Sequence, residues 1–155
     1  MTGFGPERPA ASAGRSSYAA TVVGYSGTPL AKKLGIKPGL RVWLRNAPDD
    51  FESLLEGLPD DVSLSRRKRS KVELVLCFET SAKRLEADVA TARMVIPSDG
   101  VIWTAWPKKA SKVPTDITED RLREIFLPTG LVDVKVCAID ETWSGLKFVV
   151  RRELR

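Results

Sequence analysis

The sequence predicts an α/β domain: a three-layer, mostly parallel sheet of about five or six strands with a C-terminal antiparallel strand pair. Three observations predict it. Val101–Trp106 is a nearly continuous apolar run bounded by Gly100 and Pro107, as expected of a strand covered on both faces by helices. Apolar stretches at 40–44, 72–78 and 101–106 alternate with stretches of helical spacing, the order of βαβ units and hence of a parallel sheet. Val132–Ile139 and Leu146–Val150 are joined only by Asp140-Glu141-Thr142-Trp143-Ser144-Gly145, too little chain for a crossover helix, so these two strands run antiparallel.

The elements follow in order. Residues 1–22 are rich in Pro, Ala, Ser, Gly and Arg without apolar periodicity, the composition of a disordered tail, and a single α/β domain is expected over 23–155. Order is expected to begin near Tyr25. Thr28 and Pro29 suit an N-cap and first helical position, Leu30–Leu34 makes a short helix, and Gly35 ends it. Leu40–Leu44 is the first strand. Phe51, Leu54, Leu55 and Leu58 then recur at helical spacing, and Pro59-Asp60-Asp61 stops that helix. Val62–Ser65 reads as a short edge strand and Val72–Phe78 as a central one. Thr80 or Ser81 caps the next helix, which buries Leu85, Val89, Ala92 and Ile96 and turns Glu79, Lys83, Arg84 and Glu86 to water. Beyond the 101–106 strand, Thr118 caps a helix with Glu119 and Asp120 in its first turn, the favourable sign for the helix dipole. Leu122, Ile125 and Phe126 give that helix its core face.

Composition narrows the chemistry. Among 155 residues there is no histidine, which removes the commonest general base and metal ligand. The two cysteines, Cys77 and Cys137, lie far apart in apolar runs and read as structural thiols, neither a metal knuckle nor a redox pair. No metal site and no cofactor is expected. No apolar run reaches the length of about 20 residues that spans a bilayer. The amino terminus lacks a cationic segment followed by an apolar core, so the expected compartment is cytoplasmic. A net charge of +5 favours polyanions only mildly.

Candidate site residues come from the strand ends, where open α/β sheets bind ligands. Asn46, Ser81, Trp106, Lys108 and Lys109 should meet there, with the two lysines beside an indole suited to a small anion. The bland alternative packs Trp106 under the loop and leaves both lysines solvated. Arg66, Arg67, Lys68, Arg69 and Lys71 form the densest charge run, either a solvated loop or a phosphate-contacting patch for nucleic acid. No aromatic is interleaved to stack bases. Trp143, in the hairpin turn, either folds back on the sheet or anchors a protein partner. No catalytic residue emerges: without histidine, nothing activates Ser144 or Thr142.

Two resemblances add to this. Leu34-Gly35-Ile36-Lys37-Pro38-Gly39 before the first strand and Gly130-Leu131-Val132-Asp133-Val134 before the last pair resemble the class I methyltransferase domain, a Rossmann-like sheet. The resemblance implies that Leu146–Val150 inserts between the 101–106 and 132–139 strands. It also implies glycines after the first strand and an acidic residue closing the second, which hold adenosylmethionine. This chain has instead Arg45-Asn46-Ala47-Pro48-Asp49-Asp50-Phe51, and Ser65 followed by cations. Cβ atoms and a proline stand where bare backbone is required. Tyr25-Ser26-Gly27-Thr28-Pro29-Leu30, Trp106-Pro107-Lys108-Lys109 and Val134–Val149 resemble the stereotyped blocks of a bacterial domain-of-unknown-function family, which implies no activity. The expectation that follows is a non-catalytic domain binding a protein partner or small anion at its strand ends. A minimal methyltransferase-like transferase and a nucleic-acid-associated basic protein are the alternatives.

Overall fold

The computed structural model describes residues 28–155. The tail expected at 1–22 and the turn at Tyr25-Ser26-Gly27 lie outside the described residues. The elements are α1 (Leu30–Lys33), β1 (Arg41–Arg45), a 3-10 turn at Phe51–Leu54, β2 (Ser63–Ser65), β3 (Leu74–Phe78), α2 (Ala82–Val95), β4 (Val101–Pro107), α3 (Glu119–Phe126), β5 (Leu131–Ala138) and β6 (Trp143–Val150).

One six-stranded sheet has the order β2-β1-β3-β4-β6-β5. The pairs β1–β2, β1–β3 and β3–β4 are parallel, and β6 lies antiparallel between β4 and β5. The chain leaves β1 towards β2 on one side and returns to β3 on the other. The strand order therefore reverses between β1 and β3, the place where open α/β sheets form a crevice at their carboxyl ends.

The pleat sends alternate residues to opposite faces. One face, with Val75, Cys77, Ile102, Trp106, Leu146 and Phe148, packs under α2 and α3. The other, with Leu74, Leu76, Phe78, Trp103 and Ala105, is covered by α1, Phe51 and Leu55. Ser81 caps α2 by accepting the Arg84 N–H, and Thr118 caps α3 through the Arg121 N–H. Gly130 turns into β5 with φ +88°, a conformation that costs glycine nothing.

Three local readings are corrected. The helix expected over Phe51–Leu58 is one 3-10 turn ending at Leu54. Phe51 is pinned edge-on to Phe78, with ring centroids 5.0 Å apart, Leu54 is exposed, and Gly57 has φ +70°. The N-cap of α1 is Pro29, with no side-chain cap bond, so Thr28 precedes the helix start. Glu79 does not face water: it is buried at the end of β3.

Candidate functional site

The crevice at the carboxyl ends of β1 and β3 holds a cleft of about 540 Å³ lined by Arg45, Asn46, Phe78, Glu79, Thr80, Arg84, Ala87, Asp88 and Trp143. Its position follows from the topology. The end of β1 delivers Arg45 and Asn46, the end of β3 delivers Phe78 and Glu79, the first turns of α2 deliver Arg84 and Asp88, and β6 begins with Trp143.

Two carboxylates, Glu79 and Asp88, are buried here. Glu79 accepts the backbone N–H of Thr80 at 3.0 Å and of Ser81 at 3.3 Å, the Arg84 Nε at 3.0 Å and the Asn46 amide at 3.4 Å. Asp88 accepts the Arg45 Nε at 2.8 Å, and the Cys77 thiol lies 3.5 Å from its other oxygen. Burial would raise the Glu79 carboxyl, but the hydrogen bond from Asp88, the two backbone N–H groups and Arg84 outweigh it and hold the group below the usual carboxylate range. Burial raises the Asp88 carboxyl; the Arg45 guanidinium opposes this and Glu79 reinforces it. The pair is thus split, with Asp88 the member that keeps a proton longer. Burial, with Asp88 beside it, also pushes the Cys77 thiol well up, so it is an inert neighbour.

Trp143 is half-buried, its indole edge-on to Phe78 with ring centroids 5.1 Å apart. Asp140 builds this corner, its Oδ1 accepting the N–H groups of Thr142 and Trp143 at 2.8 Å each. An aromatic floor and a polar wall with fixed donors and acceptors form the usual lining of a small-molecule site.

The expected residues distribute unevenly. Asn46 and Trp143 line the cleft, and Ser81 stands beside it through its N–H to Glu79. Trp106 is buried on the opposite face of β4, in the α2/α3 core. Lys108 and Lys109 are not among the lining residues, but the Lys108 N–H donates to the Thr142 carbonyl at 2.8 Å, which sets both next to the Trp143 corner. In the basic run, Arg66 turns inward: its guanidinium donates to the carbonyls of Ala47 at 2.8 Å and Pro48 at 2.6 Å and pairs with Glu52 at 2.7 Å. Arg69 donates to the Ser63 carbonyl at 3.0 Å. Arg67, Lys68 and Lys71 are exposed.

Sequence reasoning missed Arg45, Glu79, Arg84 and Asp88. A signal for Asp88 was present. It stands three residues after Leu85 and four before Ala92, on the apolar stripe of its own helix, where a carboxylate is tolerated only with partners.

Among the described residues, no group of three or more metal-ligating side chains is placed to hold a metal ion, and no helix is long and apolar enough to cross a membrane. No family model matches the chain. No curated protein matches it. Solved structures do resemble it. A SAM-dependent methyltransferase from Aquifex aeolicus is 13% identical, with TM-score 0.57 over 78% of this chain and 88% of that one. Fibrillarin from Aeropyrum pernix, with natively bound S-adenosyl-L-methionine, is 14% identical, with TM-score 0.52 over 77% and 73%. TrmN from Thermus thermophilus is 14% identical, with TM-score 0.51 over 79% of this chain and 47% of that one. The fold is that of the methyltransferase-like, Rossmann-like sheets, including the antiparallel strand beside β4.

Proposed function

We propose that this chain is a small-molecule-binding domain whose ligand lies in the β1/β3 cleft, against Trp143 and Asn46 and over the Glu79–Asp88 pair. Lys108 and Lys109, beside the same corner, would face an anionic group of that ligand. The single observation carrying this reading is a cleft of about 540 Å³ at the strand-order reversal, with two buried carboxylates, Glu79 and Asp88, held in its wall by Arg84 and Arg45. Such polar groups are costly to hold away from water, and their usual use is to orient a ligand.

The residues present do not fit adenosylmethionine. The loop after β1 contains no glycine, and Asn46 takes the left-handed turn there with φ +58°. Arg66, immediately after β2, fills the side where the methyltransferase resemblance implies a carboxylate, and its guanidinium is bound to the carbonyls of that very loop. Opening a nucleoside site would require breaking those bonds and leaving the carbonyls without their donor.

A second reading, a transferase using the same cleft, is favoured by the carboxylate pair alone. Two acids driven apart in proton affinity are the arrangement from which general acid and base roles are assigned.

The test is a thermal-shift screen of small aromatic anions, with adenosylmethionine and adenosine monophosphate as comparison probes. A true ligand at about a hundred times its dissociation constant adds roughly 2.7 kcal/mol. The expected hit loses about tenfold in affinity in Trp143→Ala, a cost of roughly 1.4 kcal/mol. Saturable uptake of adenosylmethionine, or hits indifferent to Trp143→Ala, would sink the reading. Consumption of a hit by the wild type, lost in Glu79→Gln, would establish the transferase instead.

A further inference from the structure

A second charged feature lies on the α1 face of β5 and β6, independent of the cleft. Lys135 and Lys147 are direct cross-strand partners. Lys147 is in turn the partner of Trp103 on β4, so both lysines stand on the face that α1 covers, since the Trp103 indole donates to the Leu34 carbonyl at 2.9 Å. Like charges directly opposite each other destabilise a sheet. Lys37, after α1, adds its charge to the same place: Lys147 is pushed below the usual lysine range first by burial and then by Lys135 and Lys37.

The geometry closes the group. A Cβ built on Gly35 would lie 3.9 Å from the Lys147 Nζ, which puts that ammonium under the α1 turn. The Lys135 Nζ donates to the Lys33 carbonyl at 3.3 Å. Cys137, on the same strand, is raised by burial and drawn back down by Lys33 and Lys135, so the positive field extends over it. Among the described residues, no carboxylate pairs with Lys37, Lys135 or Lys147.

We propose that Lys37, Lys135 and Lys147 form a seat for a small, multiply charged phosphate, a diphosphate or phosphate monoester. Three ammonium groups with no paired acid, that of Lys147 half-buried and those of Lys37 and Lys135 exposed, are point charges suited to phosphate oxygens. The small anion is favoured over a nucleic-acid strand because the nearby indole, Trp103, is fully buried and offers no ring for base stacking. An anion relieves the repulsion that folding leaves in place, so binding and the Lys147 proton are linked.

The test uses the full chain and pyrophosphate, followed by calorimetry at low salt, with NMR titration of the Lys147 ammonium. One pyrophosphate per chain is expected, with the Lys147 pKa rising on binding. Lys135→Gln combined with Lys147→Gln should weaken it at least about tenfold, while Lys83→Gln, at an exposed position on α2, leaves it unchanged. The first pair removes repulsion, so the variant should fold at least as well as the parent. No pyrophosphate binding, an affinity unmoved by the first pair, or uptake of an oligonucleotide without uptake of pyrophosphate would overturn the assignment. None of these outcomes depends on the β1/β3 cleft.

Discussion

On one face of the sheet, α2 and α3 spread the covering over a row of side chains, among them Leu85, Val89, Ala92, Leu122, Ile125 and Phe126. On the other face α1 is a single helical turn, and the covering over Trp103 and Phe78 comes from short segments that bury Leu30, Leu34, Ile36, Phe51 and Leu55. The helical face repeats a modest contact many times. The thin face depends on each aromatic being in place. That difference locates the open features of the molecule. The lysine group lies on the thin face, where α1 runs out over β6 and β5, and Trp143 of the cleft packs against the same thin layer.

The sharpest way to break this contrast is to truncate one residue on each face. Trp103→Ala removes a fully buried indole and leaves the Leu34 carbonyl without its donor. It should cost at least about 3–5 kcal/mol, and α1 should lose its amide protection from hydrogen exchange. Leu85→Ala on α2 should cost about 2–5 kcal/mol without releasing the rest of its helix. Urea titrations that gave equal losses, with α1 still protected in Trp103→Ala, would show that the thin face is not keyed by single residues.

Arg66 is the next test, because it closes the thin layer at the β1 end. Arg66→Ala abandons the Ala47 and Pro48 carbonyls and the Glu52 pair. With the side chain partly exposed, the loss should be about 1–2 kcal/mol. Adenosylmethionine should still fail to stabilise this variant, because the loop keeps its side chains and proline. A thermal shift with adenosylmethionine in Arg66→Ala but not in the parent would show that the guanidinium alone excludes the nucleoside.

The helical face carries its own flaw. The Thr104 hydroxyl is fully buried and has no hydrogen-bond partner among the described residues. Thr104→Val, which exchanges that hydroxyl for a methyl of similar shape, should stabilise the chain by about 1 kcal/mol, read as a higher urea midpoint at unchanged slope. Destabilisation would mean that the hydroxyl is satisfied in solution.

What was legible in the sequence follows the same division. The apolar run at 101–106, the stripe Leu85–Val89–Ala92 and the caps Ser81 and Thr118 all fall where their spacing put them, because on the helical face local pattern and tertiary packing agree. Insertion of the last strand beside β4 came from resemblance, and the strand order bears it out. Phe51–Leu58 misled because its spacing is helical, yet Phe51 is drawn edge-on to Phe78 and the chain breaks after one turn. Of the cleft, Asn46 was visible as a polar residue at a strand end, while Trp143 was read as a turn indole that packs back on the sheet or anchors a protein partner. Glu79 and Arg84 were not visible, because a charged residue near a helix start ordinarily faces water, and Asp88 showed only as a carboxylate on the apolar stripe of its helix. Only the meeting of β1, β3 and α2 buries the two carboxylates and sets Arg45 and Arg84 against them. The Lys135–Lys147 opposition was invisible for a similar reason: it depends on a register containing an irregularity between Asp133 and Lys135.

The smallest predicted effect is the pH dependence of that lysine pair. Lys147 binds its proton less tightly in the folded chain than the usual lysine value of 10.5, through burial and then through Lys135 and Lys37. Between its folded value and 10.5 the unfolded chain therefore carries more protons, and stability rises with pH across that window. Below the window the cost is present in full, so Lys147→Gln should be more stable than the parent at neutral pH. Its advantage should shrink as the pH climbs towards 10.5. Urea midpoints measured for both proteins from neutral to alkaline pH read this directly. Parallel curves would mean that Lys147 is hydrated and that the thin face carries no strain at β6. Converging curves would show that the fold itself holds the Lys147 proton loosely, through burial first and then through Lys135 and Lys37.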